Sequence, residues 1–119
     1  MERVEGCFVV GKYHIYVVNN LPVGSPAVSF HCASGDNDFG KKSLGVGEEF
    51  SFGFCKVPQF TLFFCHFWWE GKEKAFVAFD ASWHVDICKH RVCYYAVKTD
   101  GFYFSPSYPP KDLTIFYKW

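Results

Sequence analysis

The sequence predicts an all-β protein, built as two antiparallel sheets that pack face to face in a β-sandwich. Residues that form turns, mainly Gly, Pro, Asn and Asp, recur about every 8–12 residues, which is the spacing of short strands in a sandwich or barrel. No segment shows the sustained i, i+3, i+4 apolar pattern that an amphipathic helix requires. The 119 residues include 15 Phe, 7 Tyr and 4 Trp, a composition that favours strands. The length fits a single domain, residues 1–119.

Runs of β-branched and aromatic residues mark the strands in the first half of the chain. We expect three strands there, at 13–20, 27–32 and 48–56. The segment 35–42 concentrates Gly, Asp and Asn, which is typical of a turn. The run at 48–56 alternates cleanly, so Phe50, Phe52 and Phe54 fall on one face of its strand.

The second half continues the pattern with shorter connections. We expect five strands there, at 61–69, 74–80, 92–99, 102–105 and 113–119. The dipeptide Asp100-Gly101 is a strong signal for a hairpin turn. The segment 61–69 is apolar on both faces, which predicts a central strand covered on both sides. Trp68 and Trp69 are consecutive, so they point to opposite faces, and the outward one either contacts a ligand or is covered by other residues.

Charge and hydropathy exclude some classes of partner. Twelve basic residues balance twelve acidic ones, so we expect neither nucleic acid nor an anionic membrane surface as a partner. The longest apolar stretch, residues 60–69, is too short to span a bilayer, so we expect no membrane insertion. The first ten residues do not resemble a secretory leader. Either the protein is cytosolic with free thiols, or the sequence is a mature form whose signal peptide has been removed.

The chemistry-bearing residues do not form a recognised catalytic or metal-binding motif. Asp36 and Asp38 resemble the start of a calcium loop, but the positions where an EF-hand requires Gly and Glu hold other residues. Cys88, His90 and Cys93 are the best-placed zinc candidates, yet paired Cys-x-x-Cys half-sites are missing. The sequence also lacks the common nucleophile, metalloprotease and phosphate-loop motifs. We therefore expect no enzymatic activity and no cofactor.

The order of motifs resembles the plant self-incompatibility protein homologues, often called S-protein homologues. The matching motifs are YHIYVVNNL, a strand ending in HC, the S-x-D-x-D-x-G turn, GEEFSF, LFFCHFWW, two cysteines five residues apart, and a final Gly101. The resemblance covers roughly residues 12–104. It implies a small secreted β-sandwich that is made with a cleaved leader.

The resemblance also suggests roles for the cysteines. The four cysteines of the family map onto Cys32, Cys65, Cys88 and Cys93, although six cysteines allow 15 complete pairings and the sequence does not choose among them. Two further cysteines, Cys7 and Cys55, depart from the family pattern. They either form an extra pair or remain free thiols. Asp36 and Asp38 would then shape the turn that follows an oxidised Cys32.

The function implied by the resemblance is that of an extracellular signalling ligand, recognised by a cell-surface protein receptor of unknown identity. Recognition residues commonly concentrate in loops on a rigid scaffold. We expect the recognition loop at 80–91, with Trp83 as an anchor and a polar rim around it. The rim candidates are Asp80, His84, Asp86, His90 and Arg91. An equally open interpretation is that this segment is only a solvated loop held by Cys88.

Two other functions remain open at this point. An extracellular carbohydrate-binding or defence protein would require an exposed Trp68 or Trp83 beside a shallow groove. An enzyme with a Cys–His site would require a free thiol of low pKa. We expect a monomer, because Lys118 near the end of the last strand disfavours pairing of that edge with a second copy.

Overall fold

The computed structural model describes residues 12–119, which form nine strands and one short 3₁₀ turn. The strands are β1 (Tyr13–Asn19), β2 (Val28–Ala33), β3 (Asp38–Leu44), β4 (Glu49–Phe54), β5 (Leu62–Trp69), β6 (Lys72–Asp80), β7 (Val92–Lys98), β8 (Gly101–Ser105) and β9 (Thr114–Lys118). The 3₁₀ turn, Lys89–Arg91, precedes β7. Within the described residues no helix is long and apolar enough to cross a membrane.

The strands form two sheets, which confirms the predicted all-β sandwich. The larger sheet has the order β4-β1-β7-β8-β9 and the smaller one the order β3-β2-β5-β6. Every pairing is antiparallel except that of β1 with β7, which is parallel. The expectation of purely antiparallel sheets is therefore corrected at this pair. The chain can place β7 parallel to β1 because a long excursion through the smaller sheet separates the two strands.

The connections lie at two opposite ends of the sandwich. We call the end where β1 begins the upper end. The strand registers place four connections there, at 34–37, 55–61, 81–91 and 106–113. The remaining connections, at 20–27, 45–48, 70–71 and 99–100, lie at the lower end.

The core lies between the sheets and is dominated by phenylalanine. Alternation in β4 places Phe50, Phe52 and Phe54 on one face, as predicted, and that face is turned inward. The rings of Phe52 and Phe54 lie 5.0 and 4.7 Å from that of Phe63 on the facing sheet. Such tilted ring pairs add to the free energy of burial. The interior therefore forms from alternate residues of strands in both sheets.

Two predicted elements need correction. The segment 35–42 is not a turn throughout, because β3 begins at Asp38 and pairs with β2 as an edge strand. An edge strand tolerates polar residues and Gly, since its outer face meets water. The strand β5 is not covered on both sides, because Leu62 and Phe64 on its outer face are exposed. The sandwich has only two layers, and no described element covers that face.

One disulfide bond joins two strands of the smaller sheet, and another closes a loop. Cys32 and Cys65 are direct cross-strand partners in β2 and β5, and their disulfide is buried in the core. Cys88 and Cys93 form a second disulfide that closes the connection before β7. Cys55 is also disulfide-bonded, and Cys7, the other member of the expected extra pair, lies outside the described residues.

Candidate functional site

The longest connection at the upper end is the β6–β7 loop, residues 81–91, and it contains most of the recognition residues expected from the sequence. Asp80 ends β6, immediately before the loop. Its carboxylate accepts hydrogen bonds from the backbone N–H of Ser82 at 2.8 Å and from the Ser82 hydroxyl at 2.6 Å. These bonds lower the pKa of Asp80 and fix the chain direction as it leaves the strand.

Asp86 attaches the middle of the β6–β7 loop to the body of the sandwich. One carboxylate oxygen accepts the hydroxyl of buried Tyr13 in β1 at 2.7 Å, and the other accepts the backbone N–H of Cys88 at 3.0 Å. Burial, with a further contribution from the bond to Asp86, raises the pKa of Tyr13 to about 12. Asp86 is therefore an anchor of the loop rather than a free group on its rim.

Trp83 is also partly used by the fold. Its ring is half-buried and meets the ring of Phe79 edge-on, with the centroids 5.7 Å apart. This contact extends the core cluster into the loop. Only the remaining face of Trp83 is available to a partner.

The β6–β7 loop presents several side chains near its tip and its end to solvent. His84, Val85, Lys89, His90 and Arg91 are exposed, and Val85 is 67% exposed although it is apolar. His90 and Arg91 have positive φ angles of 54° and 62°, a left-handed conformation that is uncommon for residues other than Gly. The Cys88–Cys93 disulfide closes the chain around both residues.

The candidate zinc ligands do not form a thiolate site. The sulfurs of Cys88 and Cys93 are joined to each other, so neither can bind a metal ion as a thiolate. His31 lies on the outer face of β2, where its Nε2 is 2.6 Å from a carboxylate oxygen of Asp38. That same oxygen accepts the N–H of Gly40, and the Gly40 bond and His31 together lower the pKa of Asp38. Asp38 therefore fixes the start of β3.

A second feature of the upper end was not identified from the sequence. A cleft of about 410 Å³ separates the β2–β3 turn (residues 34–37) from the β4–β5 loop (residues 55–61). Phe60 stands at its edge and is 80% exposed. The apolar residues of the segment VPQF (57–60) gave only a weak signal for this cleft. A short loop between strands has no periodicity that distinguishes inward from outward residues.

Trp68 occupies the outer face of the smaller sheet, beside a shallow depression of about 320 Å³. The ring of His66 stacks on it at 4.0 Å, and Nζ of Lys41 lies 4.4 Å from its centre. Trp69 points the other way and packs on the core. A sugar that stacked on Trp68 would therefore compete with two side chains that already contact its ring.

Comparisons with known proteins identify a family and several relatives of this chain. The family model of the plant self-incompatibility protein S1 matches residues 14–119. Among curated proteins of Arabidopsis thaliana, S-protein homolog 4 is 43% identical over 71 residues, which are 58% of this chain and 46% of that protein. S-protein homolog 5 is 33% identical over 88 residues, 73% of this chain and 66% of that protein, and S-protein homolog 20 is 35% identical over 77 residues, 62% and 56%.

These matches leave part of each relative uncovered. The chain spans about half to two-thirds of the length of these three relatives. No solved structure gives a significant match. The family model nevertheless extends over nearly all the described residues, from the second residue of β1 to the final Trp119. The chain belongs to the plant self-incompatibility protein S1 family.

Proposed function

We propose that the protein is secreted and acts, as a monomer, as an extracellular ligand of a cell-surface protein receptor. The signal would be of the self-incompatibility type, or a related developmental or defence signal. One observation carries the proposal. The β6–β7 loop is held by a disulfide near its end and by Asp86 in its middle, yet it directs apolar and charged side chains into solvent. A preorganised loop loses little conformational entropy on binding, which favours recognition.

The disulfides support secretion. Such bonds form and persist mainly in oxidising compartments outside the cytosol. Within residues 12–119 every cysteine is oxidised. Oxidation also removes the free thiolate that a cysteine nucleophile would need, so the proposal assigns no catalytic role to these residues.

Binding to living cells tests the proposal. The protein is refolded under oxidising conditions, labelled with a fluorophore and titrated onto plant protoplasts, with and without trypsin treatment of the cell surface. We expect saturable binding that trypsin treatment abolishes, because the proposed receptor is a protein. Non-saturable binding, or binding that survives proteolysis, would contradict the proposal. Reduced and alkylated protein serves as the unfolded control.

A matched pair of variants maps the binding surface. Arg91→Asn removes an exposed charge from the β6–β7 loop, and Asn tolerates the left-handed backbone at this position. Lys118→Asn removes the same charge from the lower end, next to Gly101 in the register. We expect Arg91→Asn to weaken protoplast binding by about threefold to tenfold, as rim charges do, and Lys118→Asn to leave it unchanged. Equal effects of the two variants on protoplast binding would contradict the assignment of the β6–β7 loop as the binding surface.

Carbohydrate binding is the second candidate, favoured by the depression beside Trp68. A glycan array probed with the wild type and with Trp68→Ala distinguishes it. If carbohydrate binding is the function, the wild type binds defined glycans and the variant does not. Trypsin treatment of protoplasts would then leave much of the binding intact.

A further inference from the structure

We infer that the cleft between the β2–β3 turn and the β4–β5 loop is a second docking surface, which takes an apolar side chain flanked by a basic one from a protein partner. The inference rests on the proposed function only in identifying that partner with the receptor. The cleft is distinct from the exposed residues of the β6–β7 loop, and none of the expected recognition residues lines it.

The two walls of the cleft differ in chemistry. One wall is apolar and is formed by Phe54, Val57, Phe60, Leu62 and Phe63. The opposite wall is the β2–β3 turn, which contributes backbone groups and polar side chains. The volume of about 410 Å³ lies within the range of about 300–1,000 Å³ that is usual for ligand sites. An apolar wall facing a polar one suits a peptide segment, which has both kinds of group.

The apolar wall is built to hold Phe60 outward. The backbone N–H groups of Phe60 and Thr61 both donate to the carbonyl oxygen of Val57, at 3.0 and 3.1 Å. The N–H of Val57 donates in return to the Thr61 hydroxyl at 2.8 Å. These bonds close a tight turn in which Gln59 has a positive φ of 67°. Phe60 is therefore exposed by a defined turn, and burying it against a partner is favourable because apolar surface leaves water.

The facing turn is also well defined. The Ser34 hydroxyl accepts the backbone N–H groups of Asp36 and Asn37, at 3.3 and 3.1 Å. The N–H of Ser34 donates to the carbonyl of Asn37 at 2.7 Å. Both walls thus exist before a partner arrives, which lowers the entropy cost of binding.

The negative charge of Asp36 at the cleft favours a partner with a basic side chain. Asp36 is exposed, and it is the ionisable residue among those that line the cleft in the described part of the chain. A basic side chain beside the docked apolar one would pair with it. An anionic lipid surface or a nucleic acid would instead meet a like charge. A symmetric pairing of two copies through the cleft would bring two Asp36 carboxylates together, which is unfavourable for the same reason.

The cleft is continuous with the β6–β7 loop. The backbone N–H of Ala81 donates to the carbonyl of Thr61 at 2.8 Å, so the two loops are bonded side by side at the upper end. A single partner can therefore contact the exposed tip of the β6–β7 loop and insert a side chain into the cleft. This arrangement would give one receptor two points of attachment.

Peptide titration tests the chemistry of the cleft directly. The probes are two acetylated and amidated pentapeptides, Gly-Lys-Phe-Lys-Gly and Gly-Glu-Phe-Glu-Gly, followed by ¹H–¹⁵N chemical shifts. We expect the basic peptide alone to shift the signals of residues 34–37 and 54–63. Phe60→Ser and Asp36→Asn should each weaken this binding by about tenfold, the loss typical of a contact at the centre of an interface. Asp112→Asn, a matched exposed acid at the upper end, should not.

Three results would overturn the inference. The first is equal binding of the acidic and basic peptides, the second is shifts that lie elsewhere or do not occur, and the third is self-association of the wild type that Phe60→Ser abolishes. All the substituted residues are exposed, so the variants should fold, and dispersed spectra verify this.

Protoplast binding separates the inference from the proposed function. Loss of binding in Phe60→Ser supports the cleft as part of the receptor surface, whereas unchanged binding overturns the identification of its partner with the receptor. If even the wild type fails to bind protoplasts, the proposed function fails, and the peptide titration still decides what the cleft accepts.

Discussion

The bond between Tyr13 and Asp86 attaches the β6–β7 loop to β1, and its energy can be predicted. Tyr13 is only 5% exposed, and its hydroxyl donates to the Asp86 carboxylate over 2.7 Å. A hydrogen bond to a charged group contributes about 1.5–3 kcal/mol to stability. Tyr13→Phe keeps the ring and removes the donor, so we expect it to lower the free energy of unfolding by that amount.

The effect of Asp86→Ala should be larger. It removes the acceptor of both the Tyr13 hydroxyl and the Cys88 N–H. The buried hydroxyl then lacks its partner, and we expect a loss of about 2–4 kcal/mol. In a domain of this size the two single variants should lower Tm by roughly 5–15 °C.

A double-mutant cycle isolates the bond. Urea unfolding with the disulfides intact is measured for the wild type, both single variants and the double variant. We expect a coupling energy of about 1–2 kcal/mol, because the double variant cannot lose the same bond twice. A coupling energy below about 0.5 kcal/mol would refute the claim that Tyr13 anchors the loop through Asp86.

Burial of Tyr13, together with its bond to Asp86, also predicts a dependence of stability on pH. The pKa of Tyr13 is about 12 in the folded protein and near 10 in the unfolded chain. The folded state therefore holds its proton more tightly, so this stabilisation is complete below about pH 10 and is lost as the pH rises towards 12. The stability difference between the wild type and Tyr13→Phe should shrink over that interval.

Three further predictions concern the scaffold. Gly101→Ala should lower the free energy of unfolding by about 2–3 kcal/mol in urea, because a Cβ there would collide with the backbone oxygen of Tyr117 in the neighbouring strand; an unchanged midpoint would contradict this close approach. Replacing Cys32 and Cys65 together by Ser should lower the free energy of unfolding by about 3–4 kcal/mol, since their bond closes a loop with a sequence separation of 33. A loss under about 1 kcal/mol would contradict this stabilising role of the disulfide. Burial also raises the pKa of Tyr95, so the urea midpoint should fall above about pH 10, and the part of the 295 nm absorbance change that Tyr95→Phe removes should appear together with unfolding; its appearance well before unfolding would exclude this burial.

Local patterns were sufficient to predict the fold class, and non-local pairing was not predictable. The alternation of Phe50, Phe52 and Phe54 identified a strand with these three rings on one face, because burial of one face imposes a period of two. The turn composition of 35–42 concealed the strand β3, whose existence depends on pairing with β2. The parallel pairing of β1 with β7 joins residues far apart in sequence, and no local signal specifies it.

The candidate loop was predicted in position but only partly in detail. The polar composition of 80–91 indicated an exposed loop, and the structure has a loop at 81–91 whose tip is exposed, while its role in recognition stays a prediction. The anchoring role of Asp86 depends on a residue 73 positions away, so it could not be read from the loop alone. The cleft beside Phe60 likewise depends on two connections that only the three-dimensional arrangement brings together.

One comparison tests the recognition loop most directly. Val85 and Val23 are both strongly exposed, at 67% and 95%, and lie at the upper and lower ends of the sandwich. Replacing either by Asp should change stability little, because surface substitutions away from the core usually do. We predict that Val85→Asp weakens saturable protoplast binding by about tenfold or more and that Val23→Asp leaves it unchanged. Equal binding of both variants and the wild type would contradict the assignment of the β6–β7 loop as the receptor-binding surface.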